Sequence, residues 1–197
     1  MSHDLSLTFG AHDRQHIFHN PQHRPEFTVT LANTGGESMT GARVKRVQKY
    51  VNNDRFMVTY GDGLSDVDIE RLVEFHKSHG KLATLTTARA SSRFGILNIN
   101  DDGRVDSFTE KPQLDGWINA GYFVFENKVF DYLNEDASCV LEQEPLRRLA
   151  ADGQLMAFRH EGFFFPMDTY KELQALNAMW DAGKAPWQLP RPVAVGS

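Results

Sequence analysis

The chain has 197 residues, of which 41% are hydrophobic and 24% charged, with a formal net charge of −5 and a single cysteine. A domain of this length buries about 70% of its unfolded surface and needs no disulfide, and Cys139 has no partner to form one. The acidic balance and the want of a Lys/Arg run argue against a nucleic-acid binder, and no apolar run approaches the roughly 18 residues of a membrane span.

The opening "MSHDLSLTFG" has neither the basic start nor the apolar core of a signal peptide, so the sequence reading is a cytoplasmic protein. Residues 1–26 are polar and rich in histidine: His3, His12, His16, His19 and His23. The spacing of the last four would suit a metal on one helical face, but Pro21 and Pro25 break such a helix, and no metal site is expected there. Phe27, Val29 and Leu31 then alternate with Thr28 and Thr30, the pattern of a half-buried strand. "NTGGESMTGAR" (33–43) reads as a Gly-rich loop, and "VKRVQKYV" after it as a helix. "RFMVTYG" reads as a short buried strand.

A helix is expected from Ser65, with Ser65 and Asp68 in a capping-box-like arrangement and Gly80 as its stop. "KLATLTTA" is the next strand, and the order strand, helix, strand predicts a right-handed crossover and a parallel sheet. "FGILNINDDGRVDSFTEKP" predicts a hairpin turning at Asp102-Gly103. "WINAGYFVF" and "QLMAFRHEG" are strands, while "NKVFDYLNED" and "LEQEPLRRLAADG" are read as helices. Thr169 and Glu172 form a capping box opening a final helix, and the proline-rich tail after Gly183 is expected to be extended. The predicted fold class is α/β: a Rossmann-like, mixed but mostly parallel sheet with an inserted hairpin. The expected organisation is one domain over 1–187 with a tail over 188–197.

In such sheets ligands bind beyond the carboxyl ends of the strands. Asp62, in "TYGDGLSD", ends an apolar run between two glycines. A hairpin turn is excluded if a helix follows, and a carboxylate at a strand end can ligate Mg²⁺. Asp168, in "FFFPMDTYKE", ends a second apolar run. It is either a carboxylate favouring the helix dipole or a second ligand for the same cation. In "FTEKP", Glu110 could accept from sugar hydroxyls and Lys111 could neutralise a phosphate, unless the turn is merely solvated. Asn119, at the head of "INAGYF", needs partners that a polyol would supply, or it caps the strand. The "SMTGAR" loop could present backbone N–H groups to a base edge and Arg43 to a phosphate. Cys139 has no base near it in sequence and is not expected to act as a nucleophile.

In order, "GGESMTGARVKRV", "TYGDGLSDVDI", "FHKSHGKLATLT", "RFGILNI", "FTEKP", "INAGYFVF", "EQEPLRRLAADGQLMAF" and "GFFFPMDT" resemble the glucose-1-phosphate cytidylyltransferases, of the sugar nucleotidyltransferase superfamily. The resemblance runs from about residue 27 to about residue 187, and "MTGAR" is similar to the cytidylyltransferase form of the base loop. It implies the reaction of CTP with glucose 1-phosphate to give CDP-glucose and pyrophosphate with Mg²⁺. The product would feed deoxysugar synthesis for bacterial surface polysaccharide, the O-antigen of lipopolysaccharide. By resemblance, Asp62 and Asp168 hold Mg²⁺, and Lys111 contacts the sugar phosphate. Glu110, Asn119 and the backbone at Gly95 hold glucose, and Thr40, Gly41 and Arg43 contact CTP. The partners implied are these two substrates and further copies of the chain, without nucleic acid or membrane.

The family's G-G-x-G-T-R signature and its following Lys do not occur in the sequence. The expectation is a chain beginning at an internal position of the family, with turnover weakened by several lost donors to the phosphates. Two other readings remain open. One is a non-catalytic module that binds sugar phosphate or supports oligomerisation. The other is a metal-dependent glycosyltransferase, whose carboxylate pair "DVD" (66–68) imitates.

Overall fold

Phe123, Val124 and Phe125 are consecutive residues of one strand, and all three are fully buried. A strand covered on both faces reads as a continuous apolar run, and here that run is the centre of the larger sheet. The computed structural model describes residues 5–9, 27–92, 94–110 and 112–188. It divides into two compact units: Met1–Asn52 with Phe130–Pro145, and Asn53–Val129 with Leu146–Ser197.

In the first unit, β1 (Leu5–Phe9) and β2 (Phe27–Leu31) pair antiparallel, Leu5 opposite Leu31. The first of these strands was not anticipated. Helix α1 spans Thr40–Arg46, and a 3-10 turn follows at Gln48–Tyr50. The helix thus begins inside the segment read as a loop, and Thr40, Gly41 and Arg43 are helical. The cause is tertiary. Met39 N–H donates to the Ala137 carbonyl at 2.8 Å and Ala42 N–H to that of Cys139 at 3.1 Å. A Cβ on Gly41 would stand 2.7 Å from Cys139 Sγ, so glycine permits this approach.

In the second unit, β3 (Arg55–Thr59), β8 (Gln113–Glu126), β5 (Ala83–Ser91) and β9 (Leu155–Arg159) form a sheet in that order. β8 is antiparallel to both β3 and β5, and β9 is parallel to β5. β3, β5 and β9 therefore share a direction, as the crossover requires. The neighbour of both β3 and β5, however, is the opposed strand β8, so the sheet is mixed. β3 closes the described order, which is why Met57 is 44% exposed where a buried strand was expected.

Helix α2 (Ile69–His79) lies against β5, β8 and β9, with Leu72 and His76 buried. Its N-cap is Asp68, which accepts from Arg71 N–H, and not Ser65, which belongs to a short strand. Gly80 ends it in the left-handed conformation, φ 65°. β6 (Ile96–Ile99) and β7 (Val105–Thr109) make the expected hairpin, with Gly103 at φ 85°. α3 (Glu144–Ala151) and α4 (Tyr170–Asp181) confirm two expected helices, whereas Asn127–Tyr132 is 3-10 and not α.

A polar chain crosses the core beneath α2. Lys81 N–H donates to His79 Nδ1 at 2.9 Å, which puts that ring's proton on Nε2, 2.7 Å from Thr84 Oγ1. His76 Nε2 lies 3.0 Å from Glu126 Oε1 and must donate to it. His76 Nδ1 then accepts from the Thr84 hydroxyl at 2.8 Å. Glu126 Oε1 also accepts from Arg55 Nε at 2.8 Å. From Lys81 to Glu126 the donors run in one direction, Arg55 meets the carboxylate from the other end, and this arrangement has both imidazoles neutral. Burial holds both histidines below their ordinary value, with the neighbouring His76 and Lys81 adding to the effect on His79. Burial raises Glu126, but hydrogen bonds from Arg55 and His76 outweigh it and leave the carboxyl lowered.

Candidate active site

Two three-residue strands assemble the site. β4 (Gly63–Ser65) pairs antiparallel with β10 (Phe164–Pro166), and Pro166 stands opposite Gly63. One step further along, Met167 N–H donates to the Asp62 carbonyl at 2.7 Å. This register sets Asp62 and Asp168 at the same end of one ladder. A strand follows Asp62, where a helix was expected directly, but its partner is β10 and not β3, so Asp62 is still no hairpin turn.

Asp168 lies just before α4. Thr169 and Glu172 form the expected capping box, and Glu172 Oε2 accepts from the N–H groups of Asp168 and Thr169, each at 2.8 Å. Capping is thus carried by Thr169 and Glu172, while Asp168, one residue ahead of the cap, stays where the helix dipole favours a carboxylate. Asp62 and Asp168 both line a cleft of about 870 Å³, together with Tyr60, Arg89, Asn119 and Lys171.

Asn119 sits in the middle of β8, not at its head. The pairing steps from Leu85 opposite Phe123 to Thr87 opposite Asn119, so β8 carries a bulge there. Gly121 occupies it at φ 77°. Asn119 Oδ1 accepts from Gly121 N–H at 2.8 Å, and its Nδ2 donates to the Tyr60 hydroxyl at 3.1 Å.

Arg89 and Lys171 bring positive charge to the same cleft, and neither was anticipated. The Arg89 guanidinium stacks over Trp117 at 4.4 Å, which fixes a long side chain without neutralising it. Lys171 falls in the first turn of α4, where the helix dipole favours acids. A cation placed against that preference was the available signal.

The remaining candidates lie elsewhere. Glu110 adjoins Gly95, since a Cβ on Gly95 would come within 3.1 Å of Glu110 Oε2, but neither residue lines the cleft. Lys111 and the five N-terminal histidines lie outside the described residues. Thr40, Gly41 and Arg43 belong to the first unit. There, Thr40 Oγ1 donates to Glu142 at 2.7 Å, and Arg43 binds Thr34 Oγ1 and the Gly36 carbonyl, each at 3.0 Å. Asp66 accepts from Phe163 N–H at 2.7 Å and lies 2.9 Å from His160, and Asp68 caps α2. Both acids of "DVD" precede the helix and hold backbone, so they do not form a free carboxylate pair.

The sequence profile of the family described as nucleotidyl transferase matches residues 11–181. The chain belongs to this family. The glucose-1-phosphate cytidylyltransferase of Salmonella typhimurium is 47% identical over 188 residues, covering 94% of this chain and 72% of the relative. A probable glucose-1-phosphate cytidylyltransferase of Bacillus subtilis is 40% identical over 167 residues, covering 84% of this chain and 65% of the relative. Among solved structures, a putative glucose-1-phosphate thymidylyltransferase from Bacillus anthracis in complex with a sucrose superposes with a TM-score of 0.57. It has 20% identity and covers 83% of this chain and 65% of that one. HddC from Yersinia pseudotuberculosis gives 0.54 at 23% identity, covering 72% of this chain and 62% of that one. These neighbours share the α/β nucleotidyltransferase fold. The chain spans less than two thirds of their length and of the Bacillus subtilis relative's.

Membership makes this an enzyme family whose chemistry is nucleotidyl transfer, which requires that phosphate charge be offset. Among the described residues no three His, Cys, Asp or Glu side chains cluster as a metal cage. Two carboxylates lining one cleft are nonetheless a donor set that suits Mg²⁺. That ion keeps several waters and shares itself between one or two carboxylates and substrate phosphates.

Proposed function

We propose that the chain serves cytidylyl transfer from CTP to glucose 1-phosphate, giving CDP-glucose and pyrophosphate. The observation that carries this reading is the β4–β10 register. It brings Asp62 and Asp168 to the same end of one ladder, and both line a cleft also lined by Asn119, Arg89 and Lys171. The two aspartates would hold Mg²⁺, which offsets phosphate charge when bound. Asn119 and Glu110, with the backbone at Gly95, would hold the glucose hydroxyls. Lys111 would take the sugar phosphate, with Arg89 and Lys171 supplying further positive charge. Thr40, Gly41 and Arg43 would meet the cytosine nucleotide. A sugar-phosphate oxygen attacks the α-phosphorus in line, the bond to the β-phosphate oxygen breaks, and pyrophosphate leaves. The protein's work is alignment and neutralisation of two polyanions.

This assignment also takes the chain to be a bacterial, cytoplasmic homo-oligomer supplying surface-polysaccharide synthesis, with no part for nucleic acid or membrane. No helix among the described residues is long and apolar enough to cross a membrane. A second reading, sugar-phosphate binding without turnover, is favoured by the membership of the cleft. Its lining gathers carboxylates, an amide and cations from one unit, while the candidate nucleotide residues belong to the other.

The test is pyrophosphate release from each of the four ribonucleoside triphosphates with glucose 1-phosphate and Mg²⁺. Release with CTP that also requires glucose 1-phosphate is the expected result. Glucose 1-phosphate binding without release would favour the second reading. Absence of both would overturn the assignment.

A further inference from the structure

Asn119 is held by two groups, one from its own strand β8 and one from the residue just beyond β3. Gly121 N–H donates to its Oδ1 at 2.8 Å, and its Nδ2 donates to the Tyr60 hydroxyl at 3.1 Å. An amide has two N–H donors and an acceptor oxygen. With these bonds made, the side-chain plane cannot flip, because the flipped amide would set N–H against N–H at Gly121.

Tyr60 is placed for this task by three features. Its backbone N–H donates to the Gly121 carbonyl at 3.0 Å. Its ring lies over the Cα of Gly121, where φ is 77° and any Cβ would collide with the ring. The ring also packs against the buried Phe123, centroids 5.7 Å apart. Tyr60 and the glycine bulge therefore form one clamp around Asn119, and Tyr60 and Asn119 both line the cleft.

We propose that Tyr60 is a positioning residue, which orients the Asn119 amide so that its remaining donor meets a hydroxyl of the sugar phosphate. This rests on the sugar-phosphate reading of the cleft. It assigns the bulge at Gly121 a purpose: it turns one amide toward the ligand at a fixed angle. Tyr60 acts through Asn119 and not on the ligand independently. Loss of one neutral hydrogen bond at such a site weakens binding roughly three- to tenfold.

The test uses Tyr60→Phe, which keeps the ring over Gly121 and removes the hydroxyl alone, with Asn119→Ala and the double variant. Thermal unfolding is recorded for each. In ¹⁵N-labelled protein without ligand, the Asn119 side-chain NH₂ signals are identified by their loss in Asn119→Ala, and they should shift in Tyr60→Phe. Signals that stay in place would overturn the clamp. Calorimetric titration with glucose 1-phosphate should show roughly three- to tenfold weaker binding in Tyr60→Phe. The double variant should bind no more weakly than Asn119→Ala. Unchanged binding in Tyr60→Phe, or losses that add in the double variant, would overturn the positioning role. Unchanged binding in Asn119→Ala would instead overturn the sugar-phosphate reading of the cleft while leaving the clamp intact.

Discussion

Strand β8 and the β6–β7 hairpin were read from the same kind of signal, yet they end in opposite environments. In β8, Phe123, Val124 and Phe125 are inaccessible, with β3 and β5 paired along its two edges and α2 packed against it. In the hairpin, Ile96, Leu97, Ile99, Val105 and Phe108 are all 42–62% exposed. Apolar spacing says that a strand forms; it does not say what covers it. The difference has a consequence for the site. Asn119 is located by a bulge in the four-stranded sheet, and Asp62 and Asp168 adjoin the separate two-stranded β4–β10 ladder. Glu110 and Gly95 are located by a two-stranded ribbon, an element of marginal stability on its own.

Stability should follow this contrast. The largest effect is expected for Phe123→Ala, about 3–5 kcal/mol by urea denaturation, because a large buried ring leaves a cavity. Phe108→Ala, at a position 60% exposed, should cost under about 1 kcal/mol. Equal losses at the two positions would break the contrast. Thr169→Ala comes between, at about 1 kcal/mol, since it removes the N-cap of α4 beside Asp168.

A pH effect should separate the regions further. His76 and His79 have folded values below the ordinary 6.5, so the unfolded chain takes up protons first as pH falls. Their contribution is fully present above 6.5 and is lost as pH falls below it toward the lowered folded values. Glu126, also lowered, keeps its contribution above its ordinary value of 4.5 and loses it below. The melting temperature should therefore fall between pH 7.5 and 5.5, and fall less in His79→Gln, which no longer carries a protonatable ring. The hairpin contributes no histidine to this effect. An equal fall in the variant would show that His79 is not responsible.

Much of this fold was legible because its signals are local. The Thr169–Glu172 box, the Gly80 stop and the Asp102-Gly103 turn each need only a few neighbouring residues, and all three are present. β4 and β10 were missed because three residues carry no periodicity, and each exists through the other. β1 was missed although Leu5, Leu7 and Phe9 alternate, because the histidine-rich surroundings dominated the reading. The α1 start at Thr40 depends on bonds to residues 137–141, about a hundred positions away, which no local pattern reveals. Within the site, the aspartates were visible as acids ending apolar runs. Arg89 and Tyr60 were not, because an arginine or tyrosine at a strand end is ordinary until the cleft is seen.

The central proposal is that Asp62 and Asp168 together would hold the Mg²⁺ that offsets the charge of the sugar phosphate. Its most direct test is the calorimetric titration of glucose 1-phosphate into the wild-type chain and Asp62→Asn, each with and without Mg²⁺. The account predicts binding that Mg²⁺ strengthens in the wild type, and a loss of that strengthening in Asp62→Asn. Binding that is indifferent to Mg²⁺, or strengthened equally in the variant, would contradict it.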